Sequence, residues 1–270
     1  MTPVLGPQEV MLAALVLLVN GAISMALSLG LARTLAIAAL RMVAQLILLA
    51  LVLRWLFALS SPLVTLAAMA LMACFAGYEV LLRQERAPGR WWTGGLGASV
   101  MLAAGGLVVL PALAGILRAE PWLAPRVALP MFGMVAGGAM VGVALTLNTM
   151  TARLFADRRM VEARLALGQT RFQALGPVLR DAVRAGMLPT ISNMAAIGLV
   201  TIPGMMTGQI LAGADPIEAA KFQMLIMFLI AGTSGLAVLA AAFALAFRAT
   251  DARHRLRLDR FPPAPPPRYR

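Results

Sequence analysis

Long uncharged apolar stretches alternate with short charged segments along most of the chain. A helix that crosses a lipid bilayer needs about 20 consecutive apolar residues. Five uncharged stretches exceed that length, namely 10–32, 91–117, 127–152, 185–214 and 222–247. Residues 34–82 are long enough for two more helices, which divide at Ser60-Ser61-Pro62 because proline suits the first turn of a helix. The pattern therefore predicts an all-α, polytopic membrane protein with about seven transmembrane helices.

The distribution of arginine indicates how these helices are oriented. With the N-terminus outside, the segments around Arg33 and 83–90, the loop 153–184 and the tail 251–270 all fall on the cytoplasmic side. These segments hold most of the 23 Lys and Arg residues, in agreement with the positive-inside rule. No basic residue precedes the first span, so we expect it to remain as a membrane helix rather than to be cleaved as a signal peptide. The predicted topology is N-out and C-in.

The composition agrees with a membrane protein and excludes several kinds of site. Hydrophobic residues make up 61% of the chain, charged residues make up 13%, and the mean hydropathy is +0.86. A single cysteine and a single histidine exclude a disulfide framework, and they exclude a zinc, haem or iron–sulfur site built by this chain alone. We attribute the net charge of +12 to membrane topology and expect no nucleic-acid partner.

Two polar segments stand out from the membrane spans. In the loop 153–184, apolar residues recur at helical spacing among arginines, which predicts amphipathic helices divided at Gly176-Pro177. Such a loop can lie on the membrane surface or dock a soluble partner. The tail 251–270 is basic and contains the proline-rich run 262–267, so we expect a disordered cytoplasmic segment that serves topology or contacts anionic lipid. Residues 1–250 then form the transmembrane domain.

One stretch of the loop resembles a known signature. Residues 162–168 (EARLALG) are similar to the cytoplasmic motif of ABC-transporter permeases, in which a glutamate, two alanines, three residues and a glycine form a coupling helix that sits in a groove of the ATPase. Arg164 stands where that pattern has its second alanine. By this resemblance the candidate ATPase-coupling residues are Glu162, Ala163, Leu165 and Gly168.

Two membrane stretches resemble one family more specifically. Residues 197–210 (IGLVTIPGMMTGQI), followed by 213–216 (GADP), are similar to the signature of the FetB-type permeases, and residues 39–46 resemble that family too. The family includes bacterial iron-export permeases and plant permeases linked to aluminium tolerance. The resemblance implies an inner-membrane permease that forms a homodimer and pairs with two copies of a separate, FetA-like ATPase. It also implies the export of iron or another metal cation.

The sequence contains no motor for ATP-driven transport. An ATPase of this class needs a phosphate-binding loop of the form Gly, four residues, Gly-Lys-Ser/Thr, and the only lysine, Lys221, follows Glu-Ala-Ala instead. We predict that the chain is not an enzyme, that it binds no cofactor itself, and that ATP and Mg²⁺ are bound by the partner. Three alternatives stay open: an ABC permease for a lipid, peptide or sugar conjugate, a gradient-driven transporter or channel, and a scaffold that transports nothing.

The apolar stretch 185–214 contains Pro203-Gly204, which predicts a break or hinge in the helix. Broken backbone at membrane depth has to line a cavity or contact another segment, so the side chains that follow are candidates for a substrate path. They are Met205, Met206, Thr207 and Gln209. The methionines can ligate a soft metal ion or fill the core. Asp215, in the next outer turn, can mark the release side for a cation or belong to an ordinary loop.

Polar residues in the second and third spans are further candidates for the substrate path. Arg41 and Gln45 lie one helical turn apart on one face, and Glu79 is an ionisable residue within a span. Arg41 can extend towards the cytoplasm or pair with Glu79, whereas Glu79 can instead pair with Arg83. The candidate metal ligands are Glu79, Met205, Met206 and Asp215.

Glycines in the fifth predicted span favour close helix contacts. Gly133 with Gly137, and Gly138 with Gly142, form two small-xxx-small patterns. These patterns predict either the dimer interface or packing within one chain.

Overall fold

The computed structural model describes residues 6–59, 61–117, 121, 123–251 and 253–262. Within these ranges the regular structure is helical, which confirms the predicted all-α fold. The helices are α1 (Pro7–Ala26), α2 (Ala32–Leu59), α3 (Pro62–Leu82), α4 (Arg90–Pro111), α5 (Pro125–Ala156), α6 (Arg158–Ala166), α7 (Arg171–Ala196), α8 (Gly204–Leu211) and α9 (Pro216–Ala249). A π-helical turn, Ala112–Ile116, extends α4, and a 3-10 turn, Leu258–Arg260, follows α9.

Five helices in the described part of the chain are long and apolar enough to cross a membrane. They are α2, α3, α4 with its π-helical turn, α5 and α9, and α1 adds the shorter apolar helix Met11–Ala26. These helices coincide with the predicted spans, and α3 begins at Pro62 as expected. The chain is therefore a polytopic membrane protein. Seven crossings and the N-out orientation stay predictions.

The apolar stretch 185–214 is broken, as Pro203-Gly204 predicted, but the break is longer than a kink and begins earlier. α7 already begins at Arg171 and ends at Ala196, residues 197–203 are non-helical, and α8 follows. The helix ends here because Gly198 has a φ of +84°, a left-handed conformation that interrupts a right-handed helix. Pro203 is the N-cap of α8. A break therefore exists, but it starts six residues before Pro203.

The arginine-rich segments meet at one end of the bundle. The Arg86 guanidinium, between α3 and α4, lies 4.4 Å from the ring centroid of Phe155 at the end of α5. Nε and Nη2 of Arg248, at the end of α9, are each 3.4 Å from the Pro88 carbonyl oxygen, to which they donate hydrogen bonds. The segments that we assigned to the cytoplasm therefore share one face, hereafter the arginine-rich end.

Backbone contacts at glycines bring two sets of helices together. A Cβ atom at Gly77 of α3 would lie 2.4 Å from the backbone nitrogen of Ala98 in α4, so only glycine permits this crossing. Likewise a Cβ at Gly142 of α5 would lie 2.9 Å from the carbonyl oxygen of Gly186 in α7. Around these crossings the largest fully buried side chains include Phe132, Met101, Leu113, Met131, Met150 and Leu245.

Contacts at glycines also show what the small-xxx-small pattern of the fifth predicted span, now α5, packs against. A Cβ at Gly138 would meet Ile230 of α9 at 2.8 Å, and one at Gly133 would meet Met72 of α3 at 3.0 Å. With Gly142 against α7, three of the four glycines therefore pack within the chain. At Gly137 a Cβ would meet no atom within 4 Å.

The hairpin of α1 and α2 lies at the periphery of the bundle. Leu56, near the end of α2, is the one buried residue of that helix among those described. Close to it, the Arg126 guanidinium at the start of α5 lies 5.8 Å from the ring centroid of Phe57. The remainder of α2 exposes apolar side chains to the surroundings of the bundle, as expected of a helix that contacts lipid or another chain.

The predicted division of the loop at Gly176-Pro177 is wrong. α7 continues through both residues, because a glycine before proline has no Cβ to clash with the proline ring. The helices divide instead at Gly168, whose φ is +84°, and at Thr170, which begins α7 with a capping box. The Thr170 hydroxyl accepts from the Gln173 backbone N–H, and the Gln173 side chain accepts from the Thr170 backbone N–H at 2.9 Å.

The tail is packed as far as it is described, so the prediction of disorder from residue 251 is wrong for 253–262. Phe261 is only 6% exposed, and its ring meets Phe155 edge-on, with 6.0 Å between the ring centroids. An aromatic side chain that leaves water for such a site offsets the entropy lost by ordering the segment. Residues 263–270, with most of the proline run, lie outside the described part.

Replacing Gly77 by alanine tests the α3–α4 crossing. Because the added methyl group would overlap the α4 backbone, we expect G77A to destabilise the protein by about 1–3 kcal/mol. Thermal unfolding in detergent measures the loss. The matched control is G95A on α4, where a Cβ meets nothing within 4 Å; it should be neutral or slightly stabilising. Equal stability of G77A and the parent protein would contradict the close crossing.

Candidate functional site

The coupling heptad lies on α6, a short helix at the arginine-rich end. Val161 is fully buried and Leu165 packs partly against the core, so one face of α6 is fixed to the bundle. The other face carries Ala163 and Glu162, both exposed, and Nε of Arg158 donates to the Glu162 carboxylate at 2.8 Å. Leu167, at the end of the helix, is 82% exposed. The exposed face thus combines small, apolar and charged groups, as a docking helix requires.

A well-defined corner joins α6 to α7. The backbone N–H of Gly168 donates to the Leu165 carbonyl, and that of Gln169 donates to the Arg164 carbonyl, so the end of α6 is satisfied before the chain turns. Thr170 then starts α7 with its capping box. The predicted coupling residue Gly168 is therefore the helix stop, and its positive φ explains why glycine occupies this position.

The second feature is the helix break at 197–203, hereafter the break. Its backbone is partly closed on itself, because the Gly198 N–H donates to the Thr201 carbonyl and the Val200 and Thr201 N–H groups donate to the Ala196 carbonyl. Its apolar side chains point away from the bundle: Leu199 is 90% exposed and Val200 is 81% exposed. The break is thus an irregular, apolar segment that the described part of its own chain leaves uncovered.

Helix lengths place the break below the end of the bundle. α5 and α7 cross at Gly142 and Gly186 and run in opposite directions. From this crossing α7 continues for about 15 Å to Ala196, whereas α5 extends for about 25 Å to Pro125, at a rise of about 1.5 Å per residue. The break consequently lies about 10 Å short of the level that α5 reaches at Pro125.

α8 returns the chain from the break towards the start of α9. Of the predicted path residues on it, Met205 packs against the core and Met206 and Gln209 are half-buried. The Thr207 hydroxyl donates to the Pro203 carbonyl at 3.1 Å, an ordinary helix-start contact. Gly204 is the first residue of the helix and is exposed.

Arg41 and Glu79 form an ion pair between α2 and α3. The Arg41 side chain is 47% exposed and that of Glu79 is 24% exposed, so the pair lies on the outer surface of the bundle. Of the two partners considered for Glu79, the structure brings it to Arg41 rather than to Arg83. Gln45, one turn from Arg41, is exposed. This pair is near the arginine-rich end, whereas α8 is near the opposite end, so the predicted path residues form two groups.

The candidate metal ligands do not converge. No cluster of three or more His, Cys, Asp or Glu side chains suited to a metal ion occurs among the residues that the structure describes. Asp215 is the N-cap of α9: its carboxylate accepts from the Ile217 N–H at 2.9 Å and the Glu218 N–H at 3.2 Å. This capping role accounts for an acidic residue in the outer turn.

Sequence reasoning missed a set of buried polar groups inside the bundle. The side-chain oxygens of Gln223, Thr233 and Ser234 on α9, and that of Thr93 on α4, are buried without a hydrogen-bond partner in the described part of the chain. Such groups are costly in an apolar interior. Thr233-Ser234 in the middle of an apolar run was a visible signal, because a spanning helix rarely places adjacent hydroxyls there without use.

The bundle of long apolar helices, with the short helix α6 at one end and a helix break before α8, is that of a polytopic membrane protein. The chain belongs to the family described as "Uncharacterised protein family (UPF0014)", whose model matches residues 7–249. No solved structure matches the chain. Together with the apolar helices, the family places the chain in the inner (plasma) membrane as a multi-pass protein.

Curated relatives come from bacteria and plants. The "Probable iron export permease protein FetB" of Escherichia coli is 31% identical over 217 residues, which cover 80% of this chain and 81% of the relative. The "UPF0014 membrane protein slr1647" of Synechocystis is 35% identical over 74% of this chain and 76% of its own. The "Protein ALUMINUM SENSITIVE 3" of Arabidopsis thaliana is 31% identical over 60% of this chain and 58% of its own.

A double-mutant cycle tests the Arg41–Glu79 pair. Removing either partner leaves a charge uncompensated beside lipid. The losses of stability in R41A and E79A should therefore add up to more than the loss in the double variant. We expect a coupling energy of about 1 kcal/mol or more, measured by unfolding in detergent. The same cycle with R83A in place of R41A is the control and should give no coupling. Equal coupling in both cycles would assign Glu79 to Arg83.

Replacing Gly198 by alanine tests the conformation of the break. A Cβ there meets no atom within 4 Å, so the expected loss of about 1–2 kcal/mol comes from the left-handed backbone alone. G208A in α8 is the matched control, because Gly208 also has free space but a helical backbone. We expect thermal unfolding to separate the two variants. A G198A protein as stable as G208A would mean that the helix continues through residue 198.

Proposed function

We propose that the chain is the permease subunit of an ATP-driven ABC exporter that moves iron or another metal cation across the inner membrane. A separate FetA-like ATPase supplies ATP hydrolysis and binds ATP and Mg²⁺. One observation carries this proposal: the coupling heptad lies on the short helix α6 and the turn after it, at the arginine-rich end, and buried Val161 anchors this helix to the bundle.

The position of α6 supports a coupling role. α7 starts directly after the corner at Gly168 and Thr170, and it is one continuous helix as far as the break. At about 1.5 Å per residue, it links the docking helix to membrane depth over a distance of about 40 Å. A rotation or displacement of α6 by an ATPase would therefore reach the break through a rigid element, which is what alternating access requires.

The exposed break supports a homodimer, with one ATPase on each copy. Irregular backbone at membrane depth is not stable against lipid and has to be covered by protein or line a water-filled cavity. A different argument applies to α2, a regular helix: its exposed face carries the polar side chains of Arg41 and Gln45, which are costly against lipid. A second copy of the chain can cover both surfaces and enclose a path between the two breaks.

A metal cation as cargo is supported by the relatives. The printed name of the E. coli relative refers to iron export, and that of the Arabidopsis relative refers to aluminium sensitivity. Iron in its ferric form and aluminium are hard cations that prefer oxygen ligands. In a dimer the path would offer carbonyl oxygens of the break together with Thr207 and Gln209, and Met205 and Met206 would favour a ferrous ion.

Transport into inverted membrane vesicles tests the proposal. With a FetA-like ATPase co-expressed, we expect ATP-dependent accumulation of radioactive iron. Accumulation should be lost when the phosphate-loop lysine of that ATPase is replaced. ATP hydrolysis without iron movement would remove the metal cargo and direct the assay to lipids, peptides or sugar conjugates. Iron accumulation that follows an imposed ion gradient and ignores ATP would show a gradient-driven transporter instead.

A substitution on α6 tests the docking surface. Burying Leu167 in a partner groove contributes about 1.5–3 kcal/mol, so L167D should weaken ATPase binding by tenfold or more. Co-purification at graded salt and a binding titration measure the loss. W91S is the matched control, since Trp91 is 95% exposed on α4 and lies in no part of the proposed docking helix. Loss of binding in both variants, or in neither, would argue against α6 as the specific contact.

A further inference from the structure

A short hairpin follows α9 at the arginine-rich end. We call residues 250–262 the C-terminal strap; residue 252 in it lies outside the described part. The Arg257 N–H donates to the Ala249 carbonyl at 2.8 Å, and the Asp251 N–H donates to the Arg255 carbonyl at 3.0 Å, so the chain folds back on itself. The Asp251 carboxylate closes the turn by accepting from the backbone N–H groups of Arg255 at 2.8 Å and Arg253 at 2.9 Å.

Charge supports this turn. The backbone N–H of Arg255, and after it that of Arg253, hold the pKa of the Asp251 carboxyl below its usual range. The carboxylate thus keeps its negative charge, and with it both hydrogen bonds, throughout the neutral pH range. A group with a lowered pKa stabilises the folded form above its ordinary pKa, and this stabilisation is lost only as the pH falls through the lowered value.

The strap is fixed to the bundle at its far end. Phe261 is buried against Phe155 of α5, and the same Phe155 ring lies under the Arg86 guanidinium. Nη1 of Arg260 donates to the Arg248 carbonyl at the end of α9, at 2.9 Å. The strap therefore connects α9, α5 and the α3–α4 connection.

At its near end the strap holds the first residue of α7. The backbone N–H and Nε of Arg171 both donate to Nδ1 of His254, each at 3.3 Å, and Nη2 of Arg171 donates to the Asp251 carbonyl at 3.1 Å. The Arg171 guanidinium also lies 5.1 Å from the ring centroid of Phe247 in α9. Since the first N–H groups of a helix have no partner within it, His254 satisfies one of them from outside.

We propose that His254 is a positioning residue that holds the start of α7, and with it the corner to α6, in place against α9. The inference rests on the proposed coupling role of α6 for its functional meaning. Arg171 follows the capping Thr170 directly, so every contact made by Arg171 restrains the corner from the α7 side. The strap then determines how much of a displacement of α6 reaches α7 rather than being lost as local movement.

The acceptor atom of His254 can be tested by conservative replacement. His254 has a φ of +56°, a left-handed conformation that asparagine tolerates well, and the asparagine Oδ1 can take the place of Nδ1 as acceptor. H254A removes the acceptor, whereas H254N keeps it. F261A releases the far end of the strap. R253A is the matched control, because only the backbone of Arg253 takes part in the described contacts of the turn.

Hydrogen exchange on the purified full chain in lipid nanodiscs gives the first readout. We expect amides of 165–173 to exchange about tenfold faster in H254A and F261A than in the parent protein, and at the parent rate in H254N and R253A. Unchanged exchange in H254A would overturn the proposal, as would equal acceleration in H254A and H254N. This readout needs neither ATPase nor iron, so it decides about the strap even if the proposed function fails.

The second readout is the number of ATP molecules hydrolysed per iron ion accumulated in inverted vesicles. We expect this ratio to rise severalfold in H254A, to recover in H254N and to remain at the parent value in R253A. A parent ratio in H254A despite accelerated exchange would contradict a positioning role. Absence of any ATP-dependent iron accumulation in the parent protein would count against the proposed function and not against the strap.

Discussion

In a bilayer, apolar side chains gain little by exchanging lipid for a protein neighbour, so the helices of this bundle depend on close packing to stay together. Two glycine crossings provide this close packing. At one, Gly77 of α3 packs against α4, and at the other, Gly142 of α5 packs against Gly186 of α7. Both let backbones approach to distances at which a single methyl group would collide. These crossings hold α3 against α4 and α5 against α7, and α9 packs on α5 at Gly138. α6, the break and the strap each take their position from these helices. α1 and α2 have no such crossing and remain at the edge.

The sequence predicted the helices best where charges mark their ends. α4, α5 and α9 each contain a long uncharged run with charged residues near its ends, so hydropathy locates the body of each helix. In 185–214, Pro203-Gly204 predicted a break but not its start, because the residues of the break are as apolar as those of a helix and α7 ends at the left-handed Gly198. In the loop, the prediction rested on Gly176-Pro177 alone and overlooked Thr170 and Gln173, whose hydrogen bonds determine where α7 starts.

The candidate site was predictable in parts. The heptad on α6 was found by its resemblance to a signature, and Arg41–Glu79 was one of two pairings that helix geometry allowed. Choosing between them needed the packing of α2 on α3, which no local pattern contains. The strap was missed because it contains four arginines and leads into the proline-rich run 262–267. Phe261 was the signal available in the sequence, since a large aromatic side chain at the start of a proline run is stabilised by burial rather than by exposure to water.

The ion pair between α2 and α3 also bears on how the protein is made. Arg41 and Glu79 are 38 residues apart, so synthesis produces the arginine well before its partner. Until α3 has followed, α2 carries an uncompensated positive charge at a depth where charge is expensive. Only when the third helix has been made can Glu79 compensate this charge. The order of synthesis, and not only the finished fold, thus constrains which residues can occupy these positions.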